Sequence, residues 1–375
     1  MPVAIPTDTP MYSPNTMRPS ELDDLHNQDL SVIPDVKNPG VELLNLLGNS
    51  NITSRQMIYR QYDHQVLNNT VVLPGGDAAV LRIKGLKQGI AVTTDCNARL
   101  VALEPRVGSS IAVAEAARNI VATGSRPVAV TDCLNFGNPE KPSVAYQLEQ
   151  AVLGISDACR KLGTPVVSGN ASLYNETPVG QILPTPSIGM LGVSDSSEDS
   201  LTIAPRENNI LILIGADLAQ GIESLSGSEY ATQKLGFTAG KPFIDLDYEV
   251  KVQKFILDAH KAELLTAAHD CSEGGIAVAL AEMALAASLG LEAGQIDCGS
   301  RVDASLFGEA QSRFIIATDS QDSLSFLEKM LQDSNILLSG IGRAHGERFQ
   351  LGPIDLSISE MREEYEEGLH RLLDS

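Results

Sequence analysis

Cysteine is scarce and poorly placed for a structural role. The five residues (Cys96, Cys133, Cys159, Cys271 and Cys298) are odd in number, widely spaced and contain no CxxC pair. That argues against a disulfide framework and a zinc site, and makes a reducing cytoplasm the default compartment. No apolar run approaches the roughly 18 residues of a membrane span, so no membrane association is expected. The opening stretch MPVAIPTDTPMYSPNTMRPSELDD lacks the basic-then-apolar order of a secretory signal. Histidines fall at 26, 64, 260, 269, 345 and 370 with no HxH or HxxxH pair, and there is no Walker A loop, GxGxxG fingerprint or GxSxG elbow.

Positive charge is also short. Lys and Arg total 27 against 48 Asp and Glu, a formal net charge of −21. Such a chain repels phosphate backbones at long range, which argues against nucleic-acid binding. It does not prevent a small anion from being held by backbone N–H groups, local cations or a bridging metal. What is present is ordinary globular material: 375 residues, 43% hydrophobic and 20% charged, with a length prior of about two to three domains.

Residues 1–40 are rich in Pro, Asn, Asp, Thr and Ser and read as a linker or extended arm. Strand and helix signals then alternate. VELLNLLG (41–48) has helical spacing ending at Gly48, and DAAVLRIK (77–84) and GIAVTT (89–94) are short strands. The Ala-rich stretch 109–123 reads as a helix, 127–132 as a strand, 143–162 as a second long helix, and 164–170 and 188–193 as strands. A polar stretch with a proline, SDSSEDSLTIAPREN (194–208), fits a hinge. Beyond it come strands at 209–216, 313–319 and 336–344, helices at 249–268, 321–333 and about 357–373, and a strand–loop–helix unit at 264–290. The pattern predicts an α/β (α+β) chain.

Several segments place small and polar residues where chemistry is possible. Gly108, Ser109 and Ser110 stand at the start of the Ala-rich helix and fit either an anion site or a plain N-cap. VTDCLNFGNPEKP (130–142) puts Asp132 at the end of a strand, as a metal or nucleotide contact or as an Asx-turn. VVSGNASLYNE (166–176) runs a strand into Ser168, Gly169, Asn170 and Ser172. Gly169 permits close approach, Asn170 offers a neutral oxygen to Mg²⁺ and Ser172 a hydroxyl; a self-satisfied tight turn fits equally. HDCSEGGIAVALAEM (269–283) pairs Asp270 and Glu273 with Gly274 and Gly275, as a second nucleotide or metal site or as a helix cap. In LFGEAQSRFII (306–316), Arg313 fits either an anion contact or a structural ion pair at a sheet edge.

At these same residues the chain resembles a known family. RQYDHQV (60–66), PGGDAAVLRI (74–83), TTDCN (93–97), IAVAEAARNIV (111–121), TDCLNFGNPEKP (131–142), TPVVSGNASLYNE (164–176), PTPSIGMLG (184–192), HDCSEGGIAVALAEMA (269–284) and LFGEAQSRF (306–314) look like the synthetase subunit of phosphoribosylformylglycinamidine synthase (FGAM synthase), small bacterial type. The match runs from about residue 41 to the C-terminus and sits in that subunit's second half. The resemblance implies a two-domain aminoimidazole-ribonucleotide-synthetase-like unit. Residues 41–204 would be a first domain whose mixed sheet pairs into a barrel, and residues 205–375 a second α/β domain. It implies ATP and Mg²⁺ as cofactors, with ATP contacts at Asp132 and Gly169, Mg²⁺ at Asn170 and ribonucleotide substrate at Ser172.

The implied reaction is ATP-dependent amidine formation in purine biosynthesis with ammonia from a glutaminase subunit, a small accessory subunit completing the assembly. The family's first half carries an E-S-H-N-H-P segment with the catalytic histidine, whereas the duplicated position here reads Asp95-Cys96-Asn97-Ala98-Arg99-Leu100. The expectation is therefore half of an enzyme, with no catalytic residue of its own and a complementary N-terminal half as partner, from either a fragment or a split gene. The family also associates this half with a structural nucleotide site, for which Asp270 and Glu273 are candidates. A self-sufficient homodimer related to aminoimidazole ribonucleotide synthetase and a non-catalytic nucleotide-binding module are the alternatives.

Overall fold

The structure, a computed structural model, describes residues 13–294, 296–332 and 334–374. Short helices α1 (Glu21–His26), α2 (Pro39–Leu47) and α3 (Gln56–Tyr59) open the chain. Within the expected linker segment, Leu30 and Ile33 are buried and join the core of the second half. Helix α2 starts where Asn38 caps the Val41 N–H and Pro39 supplies a preset φ.

Strands β1 (Thr70–Val72), β2 (Ala79–Arg82) and β3 (Gly89–Asp95) are followed by helices α4 (Ala98–Leu103) and α5 (Pro105–Ala122). Then come β4 (Arg126–Asn135), helix α6 (Pro142–Leu162), β5 (Val166–Ser172), the small hairpin β6 (Glu176–Thr177) and β7 (Gly180–Gln181), and β8 (Thr185–Ser194). Six of these strands make a mixed sheet in the order β1-β2-β3-β8-β4-β5, antiparallel except for the β4–β5 pair. Among the described residues only one face is covered. Val80, Ala91, Val130, Ile188 and Met190 pack under α5 and α6, while alternate residues such as Val92 and Leu191 stay exposed. The period-2 burial of β8 records this one-sided packing.

The second half holds β9 (Ile210–Ile214), α7 (Glu229–Leu235), α8 (Leu246–Lys261), β10 (Ala267–Asp270), α9 (Gly275–Ala287), β11 (Leu291–Ala293), α10 (Val302–Phe307), β12 (Phe314–Thr318), α11 (Gln321–Leu331), β13 (Leu338–Ala344), β14 (Arg348–Leu351), β15 (Ile354–Ser357) and α12 (Ile358–Asp374). Its seven-stranded sheet, ordered β10-β12-β9-β13-β11-β14-β15, is covered on both faces. Leu211 and Leu213 face the cluster that includes α9, whereas Ile212 and Ile214 face α8 and α11. That is why β9 and β12 are buried at every position and read as unbroken apolar runs. The helix expected at 249–268 ends at Lys261, before strand β10 begins. Among the described residues, no helix is long and apolar enough to cross a membrane.

Candidate nucleotide and metal site

Two expectations about local structure change here. Asp132 does not end its strand: β4 continues to Asn135, whose side-chain amide donates to the Cys133 and Thr185 carbonyls. Ser168 to Ser172 are not a turn but the body of β5, which pairs with β4. The parallel register sets Asp132 against Gly169, Cys133 against Asn170 and Asn135 against Ser172. Paired residues share a face and successive ones alternate. Asp132 and Gly169 therefore face α6, whereas Asn170 and Ser172 lie on the uncovered face of the sheet.

The structure thus joins Asp132 with Gly169 and separates both from Asn170 and Ser172 by the thickness of one strand. That strand is the sheet's outer edge and is exposed along most of its length. A Cβ on Gly169 would come within 2.1 Å of Asp132 Oδ1, so the glycine is needed for space and the carboxylate sits directly over the edge strand. Partial burial raises the Asp132 pKa above the usual carboxylate value. On the other face, the Asn175 side-chain amide donates to the Ser172 carbonyl at 2.8 Å and the Phe136 carbonyl at 3.1 Å, pinning the end of β5.

Magnesium takes oxygen ligands in an octahedral set and keeps several waters or phosphate oxygens. The residues around Asn170 on its face of β4 and β5 are neutral (Thr131, Cys133, Asn135, Ser168 and Ser172), and Arg126, paired with Val193, lies at the far end of β4. Among the described residues no group of three or more His, Cys, Asp and Glu is arranged to hold a metal ion. The donor set fits Mg²⁺ as a single corner of its shell, the rest having to come from phosphate oxygens, water and groups outside this chain.

The remaining candidates lie elsewhere. Gly108, Ser109 and Ser110 do not open a helix: α5 starts at Pro105 and all three are buried within it. A Cβ on Gly108 would sit 2.4 Å from the Leu100 carbonyl carbon, so this glycine lets α4 and α5 touch, and the anion-site reading fails for want of free N–H groups. Arg313, fully buried just before β12, donates to the Ala310 and Gly308 carbonyls, both at 2.7 Å; among the described residues it has no carboxylate partner, so the edge ion-pair reading fails, while its Nη1 is buried without a hydrogen-bond partner.

Asp270 accepts from Arg118 Nε at 2.6 Å, and Glu273 accepts from the Asn97 side chain at 3.1 Å. They belong to a buried charge cluster around Arg118, which also meets Glu249 at 3.1 Å and Gln311 at 3.0 Å. Burial raises the pKa of Asp95 and Glu115 in this cluster well above normal, with neighbouring carboxylates adding to it. Sequence reasoning singles out Asp270 and Glu273 but not the rest of this cluster, and it misses the pairing of His269, which lies between Asp77 at 2.9 Å and Glu282 at 3.1 Å. Neither leaves a local signal: the partners are scattered through the chain.

A helix-backed mixed sheet with one open face, joined to a second sheet covered on both sides, defines a two-domain class. The family described as "AIR synthase related protein, N-terminal domain" matches residues 75–194, and "AIR synthase related protein, C-terminal domain" matches residues 206–351. The chain belongs to the AIR synthase related proteins. In more detail, it is 43% identical to phosphoribosylformylglycinamidine synthase subunit PurL of Alkaliphilus metalliredigens, over 98% of this chain and 50% of that protein. It is 44% identical to the same subunit of Moorella thermoacetica, over 99% of this chain and 51% of that one. The chain spans about half the length of the curated relatives it matches. Among solved structures, T. maritima PurL complexed with FGAR aligns with a TM-score of 0.67 at 17% identity, over 86% of this chain and 53% of that one. AaThiL complexed with AMPPCP and TMP aligns at 0.55 and 16%, over 82% and 98%.

Proposed function

We propose that the chain is the C-terminal half of an ATP-dependent FGAM synthase. In that reaction the formylglycinamide oxygen attacks the γ-phosphorus of ATP, releasing ADP. Ammonia from a glutaminase subunit then adds to the activated carbon and expels phosphate, leaving the amidine. The single observation that best supports a nucleotide at this site is the β4–β5 pair. At an exposed strand edge, Gly169 opens space for the Asp132 carboxylate on one side, while Asn170 and Ser172 stand on the other. An extended ligand crossing that edge meets all four residues even though their side chains lie on two faces.

In this reading Asp132 and Gly169 contact ATP, Asn170 provides one Mg²⁺ ligand and Ser172 a ribonucleotide contact. Mg²⁺ supplies charge neutralisation of the phosphates when bound. This chain's residues contribute position: strand β5 is fixed by its ladder to β4, and Asn175 holds its end. The open face of the first sheet is where a complementary half bearing the E-S-H-N-H-P segment completes a barrel and brings the general base. Two anionic substrates on so acidic a chain are then held by local donors and the metal rather than by its overall field.

The test is reconstitution of this chain with the complementary half, assayed with ATP, formylglycinamide ribonucleotide and ammonia. Turnover is expected only when both are present, and Asn170→Ala is expected to weaken Mg²⁺-dependent turnover at least tenfold (~1.4 kcal/mol) while leaving the melting temperature in place. Turnover by this chain alone overturns the half-enzyme reading in favour of a self-sufficient synthetase.

A further inference from the structure

Beyond the last ladder pair of β4 and β5, Asn135 with Ser172, the two strands run into loops that stay zipped together. The Phe136 N–H donates to the Ser172 carbonyl and the Tyr174 N–H to that of Gly137, both at 3.0 Å, and the Asn175 N–H donates to the Phe136 carbonyl at 3.1 Å. Across this seam Lys141 Nζ donates to Glu176 Oε1 at 2.6 Å, an oxygen that also accepts the Asn138 N–H at 3.3 Å. The lysine side chain is 52% exposed and the glutamate 33%. An ion pair so open to water is worth about 0–1 kcal/mol, so the backbone bonds hold the seam and Lys141 is free to change partner.

Positive charge is rare in this part of the chain. Lys141 is the only Lys or Arg in residues 127–159, and residues 162–205 hold none. Arg126 opens β4 at its far end, and Arg160 stands in the last turn of the 21-residue helix α6 that Lys141 precedes. Arg18, brought to the start of α6 by the bond from the Met17 N–H to the Pro142 carbonyl, is taken by Asp23 at 2.7 Å. An anion that reaches the carboxyl ends of β4 and β5 therefore meets one ammonium from these loops, already matched by a carboxylate. Glu176 keeps the Asn138 N–H when Lys141 turns away, so the exchange strands no buried charge. The proposed contacts run in order along β5, Gly169 for ATP, Asn170 for Mg²⁺ and Ser172 for the ribonucleotide, and the Lys141–Glu176 pair lies past Ser172. We propose that Lys141 binds the phosphate monoester of the ribonucleotide substrate, and that Glu176 is its resident counter-ion until that phosphate displaces it. A phosphate monoester carries about 1.5–2 negative charges and three acceptor oxygens, which outweigh a single carboxylate.

The inference rests on the proposed reaction and names the residue that reads the phosphate end of its ribonucleotide. The experiment compares formylglycinamide ribonucleotide with its dephosphorylated riboside as substrates of the reconstituted two-half enzyme at saturating ATP. Wild type, Lys141→Met and Glu176→Gln are assayed, with thermal melts to confirm folding. Lys141→Met is expected to raise KM for the ribonucleotide about tenfold, as for loss of a hydrogen bond to a charged group, and to narrow the kcat/KM preference over the riboside by the same factor. Glu176→Gln is expected to lower KM for the ribonucleotide about two- to fivefold, because the competing carboxylate is gone. A pair that only ties the loops together moves both variants in the same direction, and that result overturns the proposal. So does a Lys141→Met defect that falls on KM for ATP, or one that is equal for ribonucleotide and riboside. In these cases turnover by wild type keeps the underlying reaction, whereas absence of any turnover of the ribonucleotide by the assembled wild type overturns both.

Discussion

Arg118 Nε donates to Asp270 Oδ1 at 2.6 Å, a bond that ties helix α5 of the first sheet's domain to strand β10 of the second. The guanidinium is wholly buried, and Glu249 and Gln311, both from the second half, take its remaining nitrogens. Its planar fork satisfies several acceptors at once, which a lysine ammonium does not.

Arg118→Met removes the guanidinium bonded to Asp270 and Glu249 and leaves both carboxylates buried. The expected loss is about 3–5 kcal/mol, the cost typical of breaking a buried pair from one side. Urea unfolding should show it, and Arg118→Lys should recover only part.

Stability should fall as pH rises from 5 to 8. Burial pushes Asp270 up to about 6 against the pull of Arg118, and pushes Glu309 up to about 8. Burial alone would lower His269, but Asp77 and Glu282 outweigh it and hold the imidazole well above its usual value. All three folded pKa values exceed the unfolded ones of about 3.9, 4.3 and 6.5. The folded state therefore binds more protons, and each contribution is lost as pH climbs through the folded pKa. Urea midpoints measured against pH check the slope. Glu309→Gln should flatten it, because the amide oxygen still accepts the Glu229 and Gly274 N–H groups that now bond Glu309 Oε1.

Gly154→Ala should destabilise although alanine is the better helix former by about 1 kcal/mol. The new Cβ would lie 2.0 Å from the Arg106 carbonyl oxygen, prising α5 from α6, and an overpacking cost of about 1–3 kcal/mol wins. Gly163→Ala, at a position with φ +71° and nothing within 4 Å, bears only the left-handed backbone cost, of about 1 kcal/mol. Thermal melts of the two variants should rank accordingly.

The uncovered sheet face should make this chain self-associate. Val92 and Leu191 are cross-strand neighbours and each is 37% exposed; Val167 on the edge strand is 68% exposed. Sedimentation velocity should show mass rising with concentration, and Leu191→Lys should suppress it. A chain that stays monomeric across the concentration range contradicts the open-face reading.

Much of this architecture was legible. Apolar runs mark β8, β9 and β12, and helical spacing ending at Gly48 marks the body of α2, whose first turn at Pro39 falls in the stretch that reads as linker. Strand β5 was not legible as far as Ser172, because Gly169, Asn170 and Ser172 are turn formers whose extended shape is imposed by pairing with β4. Helix α5 begins at Pro105, ahead of the Ala-rich stretch from Ser109 that carries the sequence signal, and the bareness of Gly108 serves the contact with Leu100. The site's residue types stood out, but not the faces they occupy: Asp132 and Asn170 lie in different strands, and only the register shows that they point apart. Arg118 looks like a surface charge on an Ala-rich helix, and its partner Asp270 is 152 positions away.

On the proposed reading, the outermost place of β5 links two equilibria. A lip that is both the rim of a small-molecule site and the margin along which another polypeptide would join cannot serve one visitor without altering the other. If nucleotide tightens the grip of a complementary chain by some factor, that chain must tighten the grip on nucleotide equally, by thermodynamic reciprocity. Assembly then becomes a report on the fuel supply.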